Sequence, residues 1–254
     1  MAPTLHLVRH AQGYHNLSKE NEKLPDPDLT PLGIQQCADL RAQFPHHDKL
    51  KGLVASGMRR TLYTCINGFG TDGLYPVIAL DTLQECSDAP SDTGSSREKL
   101  AAEFGGKVDV SRIRKGWDFK GEGSYFEPSL DKLPARAKDA RLTLREIAAS
   151  LGDDAHIAVV SHGAFLHFLT EDWHGITDKY HLETTATSWK NCEYRSFQFI
   201  DPTGQDPSAE MRETDESWRR RHGSLKVPTA EEQRELRQMM ERELAPFFKV
   251  KNHI

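Results

Sequence analysis

No stretch of this 254-residue chain stays apolar for long. Its hydrophobic segments are strand-sized, far short of the roughly 20 residues that a membrane-spanning helix needs. The first residues, Met1-Ala2-Pro3-Thr4, carry neither the basic region nor the apolar core of a secretory signal. Cysteine is scarce too. Cys37, Cys65, Cys86 and Cys192 are widely separated, with no CxxC pair, which argues against a disulfide scaffold or a clustered-thiol metal centre. Free thiols in a reducing, cytoplasmic setting are the expectation. Positive charge is not in excess: 33 Lys and Arg face 38 Asp and Glu, for a net charge of −5. Nothing global addresses the chain to nucleic acid or to an anionic membrane, so any cations that matter must act locally. Internal repeats and low-complexity tracts are absent as well.

What is present is an alternation of short apolar runs and helical patterns. Strands are expected at about 4–8, 52–55, 77–80, 156–160 and 194–200. The last of these alternates in polarity, which fits an edge strand, antiparallel to its neighbour. Thr30-Pro31 reads as an N-cap followed by proline in the first helical turn, and Ile34, Cys37, Leu40 and Phe44 recur behind it at helical spacing. Further helices are expected over 58–69, 130–150, from Gly163 onward, and over 229–248, where Phe247 and Phe248 continue an amphipathic pattern that should pack on its own domain. Strands alternating with helices predict an α/β three-layer sandwich: a mostly parallel central sheet flanked by helices. The length allows one large α/β domain or two small ones, and a chain of this size buries roughly 70–75% of its unfolded surface, so it needs no staples; residues 1–254 are read as a single domain. Loop insertions lie near 86–129 and a C-terminal extension near 201–254. The aromatic-rich segment 106–129 is either a lid or wall of a site or an excursion whose aromatics pack back on the core. The run Arg219-Arg220-Arg221-His222 is read as a solvated helix flank, diluted by Glu210, Glu213 and Glu216.

The chemistry concentrates at strand ends. Arg9-His10 follows the first apolar run, Ser161-His162-Gly163 follows the fourth, and Arg60 lies shortly after the second. In an open α/β sheet the carboxyl ends of parallel strands gather at one rim, where ligands bind. Two histidines and two arginines delivered to that rim suit the capture of a phosphoryl group, with an imidazole as nucleophile and permanent cations beside it. Of the 12 histidines, the other ten show no such placement.

Five blocks, in order, resemble the histidine phosphatase superfamily, phosphoglycerate-mutase-like branch, over about residues 4–170. Arg9-His10-Ala11-Gln12-Gly13-x-x-Asn16 resembles its RHG/RHA signature. Asp28-Leu29-Thr30-Pro31-Leu32-Gly33-x-x-Gln36 is similar to its helix start, and Ser56-Gly57-Met58-Arg59-Arg60-Thr61-x-x-Thr64 to its S-P-L-x-R-A-x-x-T block. Leu83-Gln84-Glu85 resembles the L-x-E that supplies the acid, and Val159-Val160-Ser161-His162-Gly163 the second histidine block. The resemblance implies that His10 attacks phosphorus and becomes phosphohistidine, for which it must be neutral, its other ring nitrogen donating to a backbone carbonyl. Arg9 and Arg60 would hold the non-bridging oxygens. Arg59 or Arg60 could serve by position; the family spacing selects Arg60 and leaves Arg59 as a surface or outer-pocket cation. His162 would complete the pocket, its pKa lowered by the arginines. Gln12 and Asn16 would bind substrate as uncharged donors, and Gly163 through the anion-favouring start of a helix. Glu85 is the candidate general acid, with Asp88 as the fallback.

The resemblance implies no metal and no cofactor, a small phosphorylated metabolite as substrate, and a monomer or homodimer. Departures bear on the reaction. Gly57 replaces the usual proline. After Glu85 there is no Tyr-Gly-rich stretch and no arginine pair of the kind that grips a sugar-acid carboxylate in the glycolytic mutases, and the loop 86–96 is acidic instead, with Asp88 and Asp92. A phosphatase is therefore expected ahead of a mutase, with a non-catalytic phospholigand-binding module as the reading from another class. Trp189 to Arg195 and Glu213 to Ser217 resemble segments of phosphatase-like members and are expected to wall the pocket.

Overall fold

The computed structural model describes residues 2–174 and 187–244. Among these, seven strands form one sheet: β1 (Thr4–Arg9), β2 (Leu50–Ser56), β3 (Val77–Leu80), β4 (Val108–Asp109), β5 (His156–Ser161), β6 (Tyr194–Phe199) and β7 (Met211–Glu213). Their spatial order is β4-β3-β2-β5-β1-β6-β7. The first five are mutually parallel, and β6 and β7 join antiparallel. The expected strands are all present. β6 is antiparallel as its alternation implied, but it is not the edge, because the three-residue β7 covers it.

Among the described residues there are seven α-helices: α1 (Pro31–Gln43), α2 (Arg59–Phe69), α3 (Arg97–Phe104), α4 (Lys132–Leu151), α5 (Gly163–Thr170), α6 (Asp215–His222) and α7 (Ala230–Leu244). The Thr30 hydroxyl accepts from Gly33 N at 3.0 Å, capping α1 as its sequence demands. The expected end of α7, with Phe247 and Phe248, lies outside the described residues; within it, Met240 is buried in the core.

The central strands are buried on both faces, and alternation along each strand divides the core in two. Leu5, Leu7, Val54, Ile157 and Val159 point to a layer built by α4 and α5 through Leu144, Ile147, Phe165 and Leu169. Val8, Leu53, Ala55, Ala158 and Val160 point to the opposite layer, which holds Leu40 of α1, Leu62 and Phe69 of α2, and Leu100 and Phe104 of α3. Each such Val, Leu, Ile or Phe side chain, fully buried, is worth about 1.5–3 kcal/mol.

The segment 106–129 is partly β4 and partly a packed excursion. Trp117 is buried and donates from Nε1 to Ser95 O at 3.0 Å, and Phe126 is buried beside it, while Phe119 faces solvent. This accounts for Gly57. A Cβ there would stand 2.7 Å from Ile113 Cδ1 and 3.0 Å from Trp117 Cη2, so the excursion packs into the space that a side chain would fill. The Arg219–His222 run is not simply a solvated flank. It is the last turn of α6, where cations suit the helix dipole. Arg219 and Arg220 are exposed, but Arg220 lies over the Tyr194 ring and Arg221 is half-buried against Glu213.

Candidate active site

Parallel pairing decides where the chemistry meets. Arg9 is in register with Ser161, and Ala55 with Val160, so the chain leaves β1, β5 and β2 side by side at one rim. His10 N donates to Ser161 O at 3.0 Å, and the His10 and His162 rings follow at a centroid separation of 5.2 Å. The same rim receives Ser56 from β2, Arg60 from the first turn of α2, and Glu85 from the loop after β3.

His10 is almost fully buried. Its Nδ1 lies 2.6 Å from Ala11 O, and because a carbonyl only accepts, the proton sits on Nδ1. Nε2 is left with its lone pair, and Arg60 Nε donates toward it at 3.3 Å. Burial, then the charge of Arg60 and the neighbouring His15 and Arg9, hold this imidazole well below the usual histidine range. His162 is neutral for similar reasons. Burial acts first and Arg60 second. Arg60 Nη2 donates to its Nδ1 at 3.1 Å, so its Nε2–H donates to Ser56 Oγ at 2.9 Å. Both nitrogens of His162 thus meet protein groups.

Arg60 is the hub. Beyond the two imidazoles, its Nη1 donates to Ser91 O, and its Nη2 pairs with Asp92 Oδ1 at 2.9 Å. Arg9 donates from Nη1 to Trp189 O at 2.6 Å, and its Nε is buried without an acceptor among the described residues. Arg59 lies nearer the surface, where it pairs with Asp28 and Glu103 at 2.9 and 2.8 Å.

Glu85 reaches the start of α5. Its Oε1 accepts from Phe165 N at 3.0 Å and from Cys86 N at 2.9 Å. Burial and the nearby Asp92 carboxylate raise its pKa, against the opposing pull of Arg60. A carboxyl whose pKa burial raises in this way suits a general acid better than a free carboxylate. Asp88, the fallback, is exposed.

The substrate-binding candidates are placed unequally. Gln12 spends its Oε1 on the Thr30 hydroxyl at 2.8 Å, and Asn16 spends its Oδ1 on Gly13 N at 3.0 Å, so the amide nitrogen is the end of each that could donate to a ligand. Gly163 opens α5 under Thr187, where a Cβ would stand 2.6 Å from Thr187 Cγ2. Glycine there admits the close approach of the 187–193 segment. That segment clamps the backbone at Arg9 and His10: Asn191 Nδ2 donates to His10 O at 2.8 Å, and Cys192 N to Arg9 O at 3.0 Å. The segment expected to wall the pocket, Trp189–Arg195, meets the site through these bonds to the Arg9 and His10 backbone and the Arg9 bond to Trp189 O. Glu213 and Ser217 instead bond to each other and, through Glu213, to Arg221.

Several participants carried no sequence signal. His15 stands 5.4 Å from His10, ring to ring, with its Nδ1 buried and unpartnered among the described residues; burial, Arg60 and Arg9 push its pKa down to about 2. Lys120, from the aromatic excursion, donates to Glu85 O and Ser87 O at 3.0 and 2.7 Å. Burial lowers its pKa to about 8. Arg136 of α4 donates to the same Glu85 carbonyl at 3.3 Å. Two basic side chains from distant segments thereby fix the Glu85 backbone. Among the described residues, no group of His, Cys, Asp and Glu is arranged to hold a metal ion, and no helix is long and apolar enough to cross a membrane.

Comparison with known proteins agrees with this geometry. Residues 5–202 match the model of the histidine phosphatase superfamily (branch 1). A phosphoglycerate mutase-like protein of Arabidopsis thaliana is 29% identical over 233 residues, covering 78% of this chain and 84% of that protein. Phosphoglycerate mutase-like protein 2 of the same plant is 40% identical over 259 residues, covering 78% and 74%. Among solved structures, the ecdysone phosphate phosphatase of Bombix mori in complex with tungstate superposes with a TM-score of 0.53 at 15% identity, covering 77% of this chain and 89% of that one. With the family model spanning most of its length and a paired-histidine pocket at the rim of its sheet, the chain belongs to the histidine phosphatase superfamily, branch 1.

Proposed function

We propose that the protein is a metal-independent phosphatase that hydrolyses a small phosphomonoester through a phosphohistidine on His10. The observation that carries this reading is the pinned tautomer of His10: Nδ1–H is held by Ala11 O, and the Nε2 lone pair faces the Arg60 cation where a phosphoryl group would be gripped. In the first step Nε2 attacks phosphorus, the bond from phosphorus to the ester oxygen breaks, and Glu85 passes its proton to the departing alkoxide. Arg9 and Arg60 offset the charge spread over the non-bridging oxygens. In the second step a water attacks the phosphoryl group, gives its proton to the Glu85 carboxylate, and the N–P bond breaks to release inorganic phosphate. His10, Arg9, Arg60, Glu85 and His162 are the catalytic set, with Gln12, Asn16 and Gly163 around the substrate.

The names of the Arabidopsis relatives are compatible with a mutase that uses the same intermediate. Against it, the cations that a phospho-acid's carboxylate would need are engaged elsewhere: Lys120 and Arg136 on the Glu85 carbonyl, Arg59 on Asp28 and Glu103. Trapping with a labelled monoester tests the proposal. An acid-labile, base-stable adduct should map to His10, and His10→Ala should form no adduct and turn over no p-nitrophenyl phosphate. An adduct on serine or cysteine would refute the mechanism.

A further inference from the structure

Arg60 is fully buried, yet its guanidinium already has a counter-ion: Asp92 Oδ1 at 2.9 Å, in the place where a phosphoryl oxygen would be expected to pair. Asp92 is itself held. Its Oδ2 accepts from Ser87 Oγ at 2.6 Å, its backbone N donates to Ala89 O at 2.8 Å, and its side chain is only 13% exposed. We propose, on the phosphatase reading above, that Asp92 is the site's internal counter-anion: it pairs with Arg60 and yields it to the incoming phosphoryl group.

The charges explain why such a group belongs here. With both histidines neutral, Arg9 and Arg60 are buried cations at the centre of the site. Leaving Arg60 buried and unpaired is costly, and one carboxylate removes the cost. The same carboxylate then competes with any phosphate for that guanidinium, so part of the binding energy is spent on displacing it. Groups facing Glu85 come from every side: Arg9 from β1, Arg60 from α2, Arg136 from α4, Lys120 from the excursion, and Cys86 and Asp92 from its own loop. All but the last two are cations, and cations favour the ionised acid. Besides burial, Asp92 is the nearby charge that pushes the carboxyl the other way. Asp92 touches neither the nucleophile nor, once displaced, the reacting atoms. It is a positioning residue, acting through Arg60 and Glu85.

Asp92→Asn tests this in the full chain, since the amide keeps an oxygen for Arg60 and removes only the charge; Asp92→Ser repeats the test, with thermal melts to confirm folding. Two readouts apply. Orthovanadate and inorganic phosphate binding, measured by calorimetry without turnover, should tighten by about tenfold or more as the competing anion is removed. The alkaline limb of kcat/KM for phenyl phosphate should move down by about one pH unit, because Glu85 loses its negative neighbour. A merely structural role would move neither. Unchanged or weaker vanadate binding in the folded variants overturns the counter-anion role, and an unmoved alkaline limb overturns the effect on Glu85. A wild-type protein that binds vanadate but hydrolyses no monoester would refute the phosphatase reading, while the calorimetry would still judge Asp92.

Discussion

Replacing Glu85 by glutamine separates the acid's chemistry from its place in the fold. Its Oε1 accepts from Cys86 N and Phe165 N at 2.9 and 3.0 Å, and a glutamine carbonyl can accept the same two bonds. The amide cannot supply a proton. General acid help is worth about 10²–10⁴-fold, which is about 2.7–5.4 kcal/mol of barrier at 1.36 kcal/mol per decade. Glu85→Gln should therefore lose about 10²–10⁴ in kcat/KM on an alkyl phosphate. On p-nitrophenyl phosphate, whose leaving group needs little protonation, the loss should stay under about tenfold. The pH profile carries a second signature. Burial and Asp92 raise the Glu85 pKa, so the proton persists above the ordinary carboxylate range. The rate on poor leaving groups falls as pH rises through that raised value, and the variant should lack this fall. His10 adds no acid limb near its ordinary value, since its own pKa is held well below it. Stability should move the other way from activity. A carboxyl whose folded pKa exceeds its unfolded one favours the fold most below the unfolded value and loses that contribution as pH rises through the folded value. At neutral pH, Glu85→Gln should melt at or above the wild type while its catalysis falls. Steady-state kinetics across a leaving-group series, with thermal melts, measure all of this. Equal losses on both substrates, or an alkaline limb that survives in the variant, would refute the assignment of the acid.

Because arginines and histidines supply the positive charge, EDTA should leave monoester hydrolysis unchanged; chelator-sensitive activity restored by magnesium or zinc would contradict this. With 3-phosphoglycerate, inorganic phosphate release should exceed isomerisation to 2-phosphoglycerate even with 2,3-bisphosphoglycerate added, as coupled assays of both products would show; a stimulated mutase rate well above phosphate release would reverse the choice of reaction and leave the site standing. Trp117→Ala should cost about 3–5 kcal/mol, because the indole is buried against Gly57 and Gly94 and bonded to Ser95 O. At about 2–4 °C per kcal/mol for a chain of this size, the melting temperature should drop by about 6–20 °C; a shift within a degree would show that the excursion is not part of the packed core.

What the chain's own order determined was the frame of the site. Short apolar runs that end in Arg9-His10, Ser56 and Ser161-His162 had to become strands whose ends share a rim, because period-two burial and parallel pairing are set by neighbouring residues. The Thr30 cap and the spacing of Leu40 and Phe44 fixed α1 by the same local logic. Elements too short to show a period escaped: β4 with two residues, β7 with three, and α3, whose buried anchors are Leu100 and Phe104 alone. The tertiary structure decided the partners. Asp92 meets Arg60 across 32 positions, Lys120 meets the Glu85 carbonyl across 35, and Asn191 meets the His10 carbonyl across 181. No local pattern encodes such pairs, since loop closure and the packing of Trp117 beneath Gly57 bring them together. His15 sits five residues from the nucleophile, yet only the turn that follows β1 puts its ring against His10. The sequence pointed to His10; the fold set its tautomer, held its imidazole neutral and placed the Arg60–Asp92 pair beside it.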